Sequence, residues 1–270
     1  MNMNGPERLK QAAGKLTTKV GAAFPGTRAV FRGHDLHTGF EEKMGWFDLC
    51  AFGITGRRLQ PAQLQVLEAI WVWTSYPDAR IWNNRVAGLG GSTRTTPVLA
   101  MSAAQAVSEA TIYGRRNEFK ALAFFKRTHD EMQAGSSLGE CIDRHLKQQG
   151  KLAGYGRPLA SRDERIEPTM TLARKLGVGD GPHVTLAFEV ERYLASVGKP
   201  LSMNFGALVS AFGADFGFSP RDYNLLYFPV FLAGMQPCYV EAVEKPPGTL
   251  FPTSCADVCY EGVAKRGWPA

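Results

Sequence analysis

The stretch KLAGYGRPLASRDER, Lys151–Arg165, puts a Gly-Tyr-Gly loop directly before Arg157 and then sets Arg162, Asp163 and Arg165 close together. The two glycines let the backbone bend, and several guanidiniums beside such a bend can take a carboxylate or phosphate in a two-pronged grip. A solvated loop accounts for the same residues equally well, because arginine is common on surfaces. The flanking segments show what carries the loop.

Immediately upstream, Ser137 and Glu140 form a capping box that opens LGECIDRHLKQQ, and Gly150 closes it. NEFKALAFFKRTHDEMQ before it also reads as a helix. Downstream, helices are predicted in PTMTLARKLG, HVTLAFEVERYLASVG, NFGALVSAFGADFG and DYNLLYFPVFLAGMQPCYVEAVE, each bounded by Gly or Pro. Thr96 and Pro97 offer a cap and a first helical residue for PVLAMSAAQAVSEATIYG, whose Ala and Ser residues let another helix approach closely. In AQLQVLEAIWVWTSY, residues Leu64, Leu67, Ile70, Trp71 and Thr74 recur at helical spacing until Pro77.

The first sixty residues carry many turn formers and read as a flap, with one short extended stretch, Ala29 to Arg32, ending at Gly33. After Pro246 the Pro-rich tail reads as an irregular arm of the kind that packs on a partner subunit. Strand patterns are nearly absent, so the predicted class is all-α. A chain of 270 residues leaves room for one large domain or two unequal ones, and two unequal domains is the preferred reading.

With 44% apolar and 21% charged residues, the composition is that of a folded protein. The net charge of +6 favours anionic partners, but the basic residues are spread along the chain and no nucleic-acid-binding motif appears. A small acidic ligand is therefore expected, with no nucleic acid and no membrane partner. The opening MNMNGPERLKQAAGKL has no apolar core of signal-peptide length, and no stretch approaches the ~20 apolar residues of a membrane span. A cytoplasmic protein is expected. The five cysteines, Cys50, Cys141, Cys238, Cys255 and Cys259, form no CxxC pair and suit reduced thiols.

Other motifs yield less. AGLGGSTRTT, Ala87 to Thr96, lacks the GKS/T ending of a phosphate loop and a preceding parallel strand, so it reads as a turn between helices. His34 and His37 have no Asp, Glu or Cys partners that would make a metal site, and Cys255 with Cys259 lacks two further ligands. No metal is expected, and no GxSxG elbow exists.

At Gly154, Tyr155, Gly156, Arg157, followed by Asp163, Glu164, Arg165, the sequence resembles the citrate synthase and citryl-CoA lyase family, whose members carry Gly-aromatic-Gly-His and then Asp-Pro-Arg. Other segments agree in order. FRGHDL, Phe31 to Leu36, resembles the family's Arg-Gly-Tyr-Asp flap, and ITGRRLQPAQLQ its Leu-x-Gly-x-Leu-Pro turn. TIYGRRNEFKAL stands where the family has Leu-His-Gly-Gly-Ala-Asn-Glu and keeps Gly114, Asn117 and Glu118. SMNFGAL is similar to the Asn-Val-Asp-Phe segment, and FPVFLAGMQPCYVEA to the Phe-x-x-Phe-Ala-x-x-Arg-x-x-Gly-Trp helix.

The resemblance implies a helical homodimer with a large domain at 1–113 and 213–270 and a small domain at 114–212, with flexibility at Gly114 and Gly213. It also implies transferase or lyase chemistry on a small acidic metabolite or acyl-CoA, with coenzyme A thioester as substrate and no resident cofactor. The implied catalytic positions are Tyr113, Arg157 and Asn204, standing where the family has two histidines and an aspartate. Met235 falls where a carboxylate-binding arginine is expected, whereas Arg165 keeps that identity. Arg162, Tyr155 and Gly156 complete the implied substrate contacts. Asn204 cannot act as the base that removes an α-proton, so altered carbon–carbon bond chemistry, or a non-catalytic ligand-binding or regulatory role, is expected.

Overall fold

Ser137 and Glu140 cap each other as their spacing predicts: Glu140 N–H donates to Ser137 Oγ at 3.3 Å and Ser137 N–H to the Glu140 carboxylate at 2.9 Å. Gly150, at φ 71°, ends the helix they open. The computed structural model describes residues 4–40, 44–110, 114–157, 162–249 and 254–268. Along the chain run α1 (Gly5–Ala12), β1 (Gly21–Phe24), β2 (Arg28–Phe31), β3 (His34–Asp35), α2 (Trp46–Thr55), α3 (Pro61–Thr74) and α4 (Trp82–Ser92). Then follow α5 (Pro97–Val107), α6 (Arg115–Gln133), α7 (Leu138–Gln149), α8 (Ile166–Lys175) and α9 (Pro182–Ser196). The last helices are α10 (Phe205–Asp215), α11 (Pro220–Tyr227) and α12 (Leu232–Glu244), before a short 3₁₀ turn at Cys255–Asp257.

The described residues pack as two units, one of residues up to 70 with 117–227, the other of 71–116 with residues from 228 onward. In the first, α10 is apolar on every side and nearly every residue from Phe205 to Ala214 is buried, as an all-round hydrophobic helix must be. It packs on α9, whose Val184, Leu186, Ala187, Val190 and Leu194 are buried. Asp215 at the end of α10 accepts the His183 and Val184 N–H groups at 2.9 and 3.0 Å, satisfying first-turn donors of α9. The small antiparallel sheet, order β1-β2-β3, contains the expected extended stretch. It meets α2 through rings: Phe31 and Phe40 each lie 6.0 Å from Phe52, centroid to centroid. Thus the first sixty residues hold two helices that their turn-rich composition conceals.

In the second unit α12 packs against α4 and α5. Here the glycine-rich stretch from Ala87 requires a correction. Gly88, Gly90 and Gly91 lie inside α4, and the turn is confined to the residues after Ser92. A Cβ on Gly90 would stand 2.5 Å from Ala100 Cβ, and one on Gly91 2.5 Å from the Tyr239 carbonyl oxygen. The glycines therefore let two helices approach α4. Arg94, at φ 60°, ends both helices it touches, donating to the carbonyls of Gly91, Ala242 and Lys245 at 3.0, 3.2 and 2.7 Å.

Two further corrections concern helix ends. Thr96 occupies the N-cap of α5, but its side chain makes no capping hydrogen bond. The single helix expected over DYNLLYFPVFLAGMQPCYVEAVE is two, α11 and α12. Pro229 has no N–H and disfavours helical geometry at Phe228, which breaks the ladder there. Met235, in α12, is fully buried and packs with Ala87 and Ala104. Among the described residues, no helix is long and apolar enough to cross a membrane.

Candidate carboxylate site

The loop from Gly154 is held by an extended segment just before α10. Gly156 N–H donates to Ser202 O at 2.8 Å, Asn204 N–H to Gly154 O at 2.9 Å, and Tyr155 bridges Met203. Gly154, at φ 92°, must be glycine here, because a Cβ would stand 2.6 Å from Ala207 Cβ in the first turn of α10. Tyr155 is buried, and its hydroxyl donates to Ala187 O at 2.7 Å. Burial, reinforced by the Glu191 charge, pushes this hydroxyl well above the usual tyrosine range, so it stays a donor.

Asn204 is the N-cap of α10. Its Oδ1 accepts the Ala207 N–H at 3.2 Å, and its Nδ2 donates to Gly156 O at 3.2 Å. An amide suits this place because it faces a donor with one arm and an acceptor with the other. An ionised carboxylate would meet the Gly156 carbonyl with no proton to give.

Asp163 is the hub of the loop. Arg165 donates from Nε and Nη2 to its two oxygens at 2.8 and 2.9 Å, Phe205 N–H donates at 2.9 Å, and Arg157 Nε lies 3.7 Å away. Its side chain is 1% exposed. Burial raises the Asp163 carboxyl, but the Arg165 hydrogen bonds and charge, the Phe205 amide and the Arg157 charge outweigh it and hold the group below its ordinary range. Arg165 also stacks over Phe205, 4.5 Å from the ring centroid. Arg157 donates to Arg162 O at 2.9 Å and to the Glu164 carboxylate at 3.3 Å. The guanidiniums are therefore oriented and partly neutralised in advance.

The positions implied by the resemblance thus meet in part. Arg157, Asn204, Arg165, Tyr155 and Gly156 share one loop and helix start, whereas Tyr113 lies outside the described residues. Arg162 is exposed and lines a cavity of about 280 Å³ with Asp163, Glu164, Glu167, Glu191, Phe188 and Met203, where carboxylates outnumber guanidiniums. Asp163 was visible in the sequence, but its role as the common partner was not. The signal available was an acid two residues before an arginine, and that spacing also occurs in ordinary loops. Glu118, at the start of α6, joins a neighbouring network in which Tyr223 donates to its carboxylate at 3.2 Å and Ser210 to its carbonyl at 2.9 Å. Among the described residues no cluster of His, Cys, Asp and Glu could hold a metal ion.

The sequence matches no family model and no curated protein sequence. Solved structures do match. Citryl-CoA lyase from Hydrogenobacter thermophilus superposes with a TM-score of 0.81 at 19% identity, over 94% of this chain and 97% of that one. The ATP citrate lyase of Methanothrix soehngenii, in complex with citrate and coenzyme A, gives 0.74 at 14% identity, over 98% of this chain and 45% of that one. The citrate synthase of Thermoplasma acidophilum, in ternary complex with carboxymethyl coenzyme A and oxaloacetate, gives 0.65 at 16% identity, over 85% and 60%. The chain therefore has the helical fold that citryl-CoA lyase, ATP citrate lyase and citrate synthase share.

Proposed function

We propose that this protein acts on a carboxylated substrate or a coenzyme A thioester, in the manner of a citrate synthase or citryl-CoA lyase whose carbon–carbon bond chemistry is altered. One observation carries the reading: in this fold Arg157 and Arg165 converge on buried Asp163, and Asn204 is tied to the same loop through Gly156. Solved proteins of this fold carry citrate, oxaloacetate and coenzyme A derivatives. A substrate carboxylate would add to the partners of the two guanidiniums, for which Asp163 is the common anchor. Tyr113 would give a neutral hydrogen bond and Asn204 would orient a carbonyl. Tyr155 and Gly156 would form the wall and Arg162 a peripheral contact.

Asn204 takes up no proton near neutral pH, and a positioned general base is worth about 10²–10⁴ in rate. Enolate formation in the ordinary manner is therefore absent from this reading. A second reading, a non-catalytic relative that binds an acidic ligand or regulates an active enzyme, is favoured by the same asparagine. Incubating the purified chain with acyl-CoA thioesters and keto acids, and following thiol release, separates the two: turnover on any pair supports altered chemistry, and silence on all supports the binding role. Failure of citrate, oxaloacetate and acyl-CoA alike to bind in calorimetry would remove both.

We also propose a homodimer, contacted through the helix around Ala100 to Ala110 and the tail from Pro246, in which residues 114–212 turn as a smaller domain over the ligand. Ala100 and Ala104 are buried within their own unit, while Val98 and Leu99 on α5 are exposed at 75% and 63% and suit a partner. Gly114 takes φ 80° against the Ser108 carbonyl, a place that only glycine fits, and Gly213 is packed against Tyr223 inside α10, so the turn would have to be taken up by the residues beside them. Small-angle scattering should read a dimer mass and a smaller radius of gyration with citrate. A monomer, or a radius that citrate leaves unchanged, would contradict the corresponding part.

A further inference from the structure

Glu118 stands half-buried in the first turn of α6, and its side chain reaches the first turn of α10. A Cβ on Gly206 would lie 3.0 Å from Glu118 Cγ, 3.2 Å from Asn204 Oδ1 and 3.6 Å from Glu118 Oε1, so the acid and the amide flank one point on the helix. One turn on, Ser210 Oγ sits 2.9 Å from the Glu118 carbonyl oxygen and 2.6 Å from that of Gly206, tying α6 to α10. Asn204 thus spans two sides of the helix start. Its Nδ2 faces Gly156 in the Arg157 loop, and its Oδ1 lies on the side of Glu118.

The carboxylate of Glu118 is oriented from behind. Tyr223 is 1% exposed, donates to Glu118 Oε2 at 3.2 Å, and has its ring 4.6 Å from that of Tyr227, centroid to centroid. Burial, and then the Glu118 charge, pushes the Tyr223 hydroxyl well above the usual tyrosine range, so it remains a donor. A carboxylate has about four acceptor directions, and the Tyr223 bond does not exhaust them. The helix start therefore has charged groups of opposite sign about Asn204, the guanidiniums of Arg157 and Arg165 on the loop side and Glu118 on the other.

We propose that Glu118 determines which ligand this site takes, by accepting a hydrogen bond from a hydroxyl that the ligand carries beside its carboxylates. The inference rests on the carboxylate site proposed above and narrows its ligand to the hydroxy acids. A hydroxyl gives Glu118 a charge-assisted bond, whereas a keto oxygen brings only lone pairs against a negative charge and a bare carbon brings nothing. The two carboxylate-binding arginines set the affinity for acids in general, and Glu118 sets the choice among them.

The test is calorimetric titration of citrate and of tricarballylate, which differ by one hydroxyl, into the full chain. The wild type should bind citrate about tenfold or more tighter, the worth of one hydrogen bond to a charged group. Glu118→Gln keeps the shape and an oxygen for Tyr223, and it should narrow that ratio to about threefold or less, since a neutral acceptor is the weaker one. A Glu118 with a structural role alone would move both affinities together and leave the ratio as it was. Arg165→Ala should weaken both ligands by the same factor. Equal affinities in the wild type, a measurement that needs no variant to fold, or an unchanged ratio in Glu118→Gln would overturn the role of Glu118 and leave the carboxylate site standing. Failure of both acids to bind the wild type would remove that site and this assignment with it.

Discussion

Replacing Asp163 by asparagine is expected to lower the unfolding free energy by about 3 kcal/mol, towards the low end of the range for breaking a buried ion pair. The substituted amide keeps the shape but turns an NH₂ group towards one of the Arg165 donors at 2.8 and 2.9 Å, and it removes the counter-charge that Asp163 supplies. Arg165 is 21% exposed, so water recovers part of the loss, which is why the lower figure applies. Urea unfolding at pH 7 measures the change, and a loss under about 0.5 kcal/mol, the level of an ordinary surface substitution, would remove Asp163 as the hub. The pH dependence has a definite sign. The folded carboxyl lies below its unfolded value of about 3.9, so its contribution is present above that pH and disappears as the pH falls through the lower folded value. The variant should lose that part of the acid-side slope.

Arg165→Ala and Arg157→Ala are each expected to weaken citrate or oxaloacetate binding by about 1.5–3 kcal/mol, which is about 10- to 150-fold. Both guanidiniums are oriented before any ligand arrives, Arg165 by Asp163 and the Phe205 ring, Arg157 by Arg162 O and Glu164. Binding thus loses less side-chain entropy than it would with free arginines. Arg165→Lys, which keeps the charge but not the fork, should recover only part of the affinity, and Arg162→Ala should cost less because Arg162 already faces carboxylates. Unchanged affinity in both alanine variants would dispose of the site.

Much of the helical framework was legible because caps are local. Ser137 with Glu140 and Gly150 mark both ends of α7 within the residues they satisfy. The stretch from Ala87 to Thr96 was not legible in the same way. A glycine that bends a turn and a glycine that admits another helix look alike in one dimension, and the Tyr239 carbonyl facing Gly91 lies far along the chain. The aromatic contacts that hold α2 against the sheet are likewise non-local, so α2 was hidden in a turn-rich region.

The site divides along the same line. Arg157, Asn204 and Arg165 could be picked out by their order in the chain, and Asn204 also by its place before an apolar helix. Their electrostatic state could not, because it depends on Asp163 accepting from Arg165, from Phe205 and from the direction of Arg157 at once. The residue order shows several guanidiniums beside a bend, whereas their distances to Asp163 and Glu164, which offset much of that charge, come only from the fold.

The decisive measurement is whether the unmodified protein, given oxaloacetate and acetyl-CoA, forms citrate. No citrate should appear above the uncatalysed background, while oxaloacetate should bind saturably. Asn204→Asp should behave in the same way, since that carboxylate would face the Gly156 carbonyl, and the groups of such a site act as a unit. Robust citrate formation by the unmodified chain would overturn the altered chemistry proposed for Asn204.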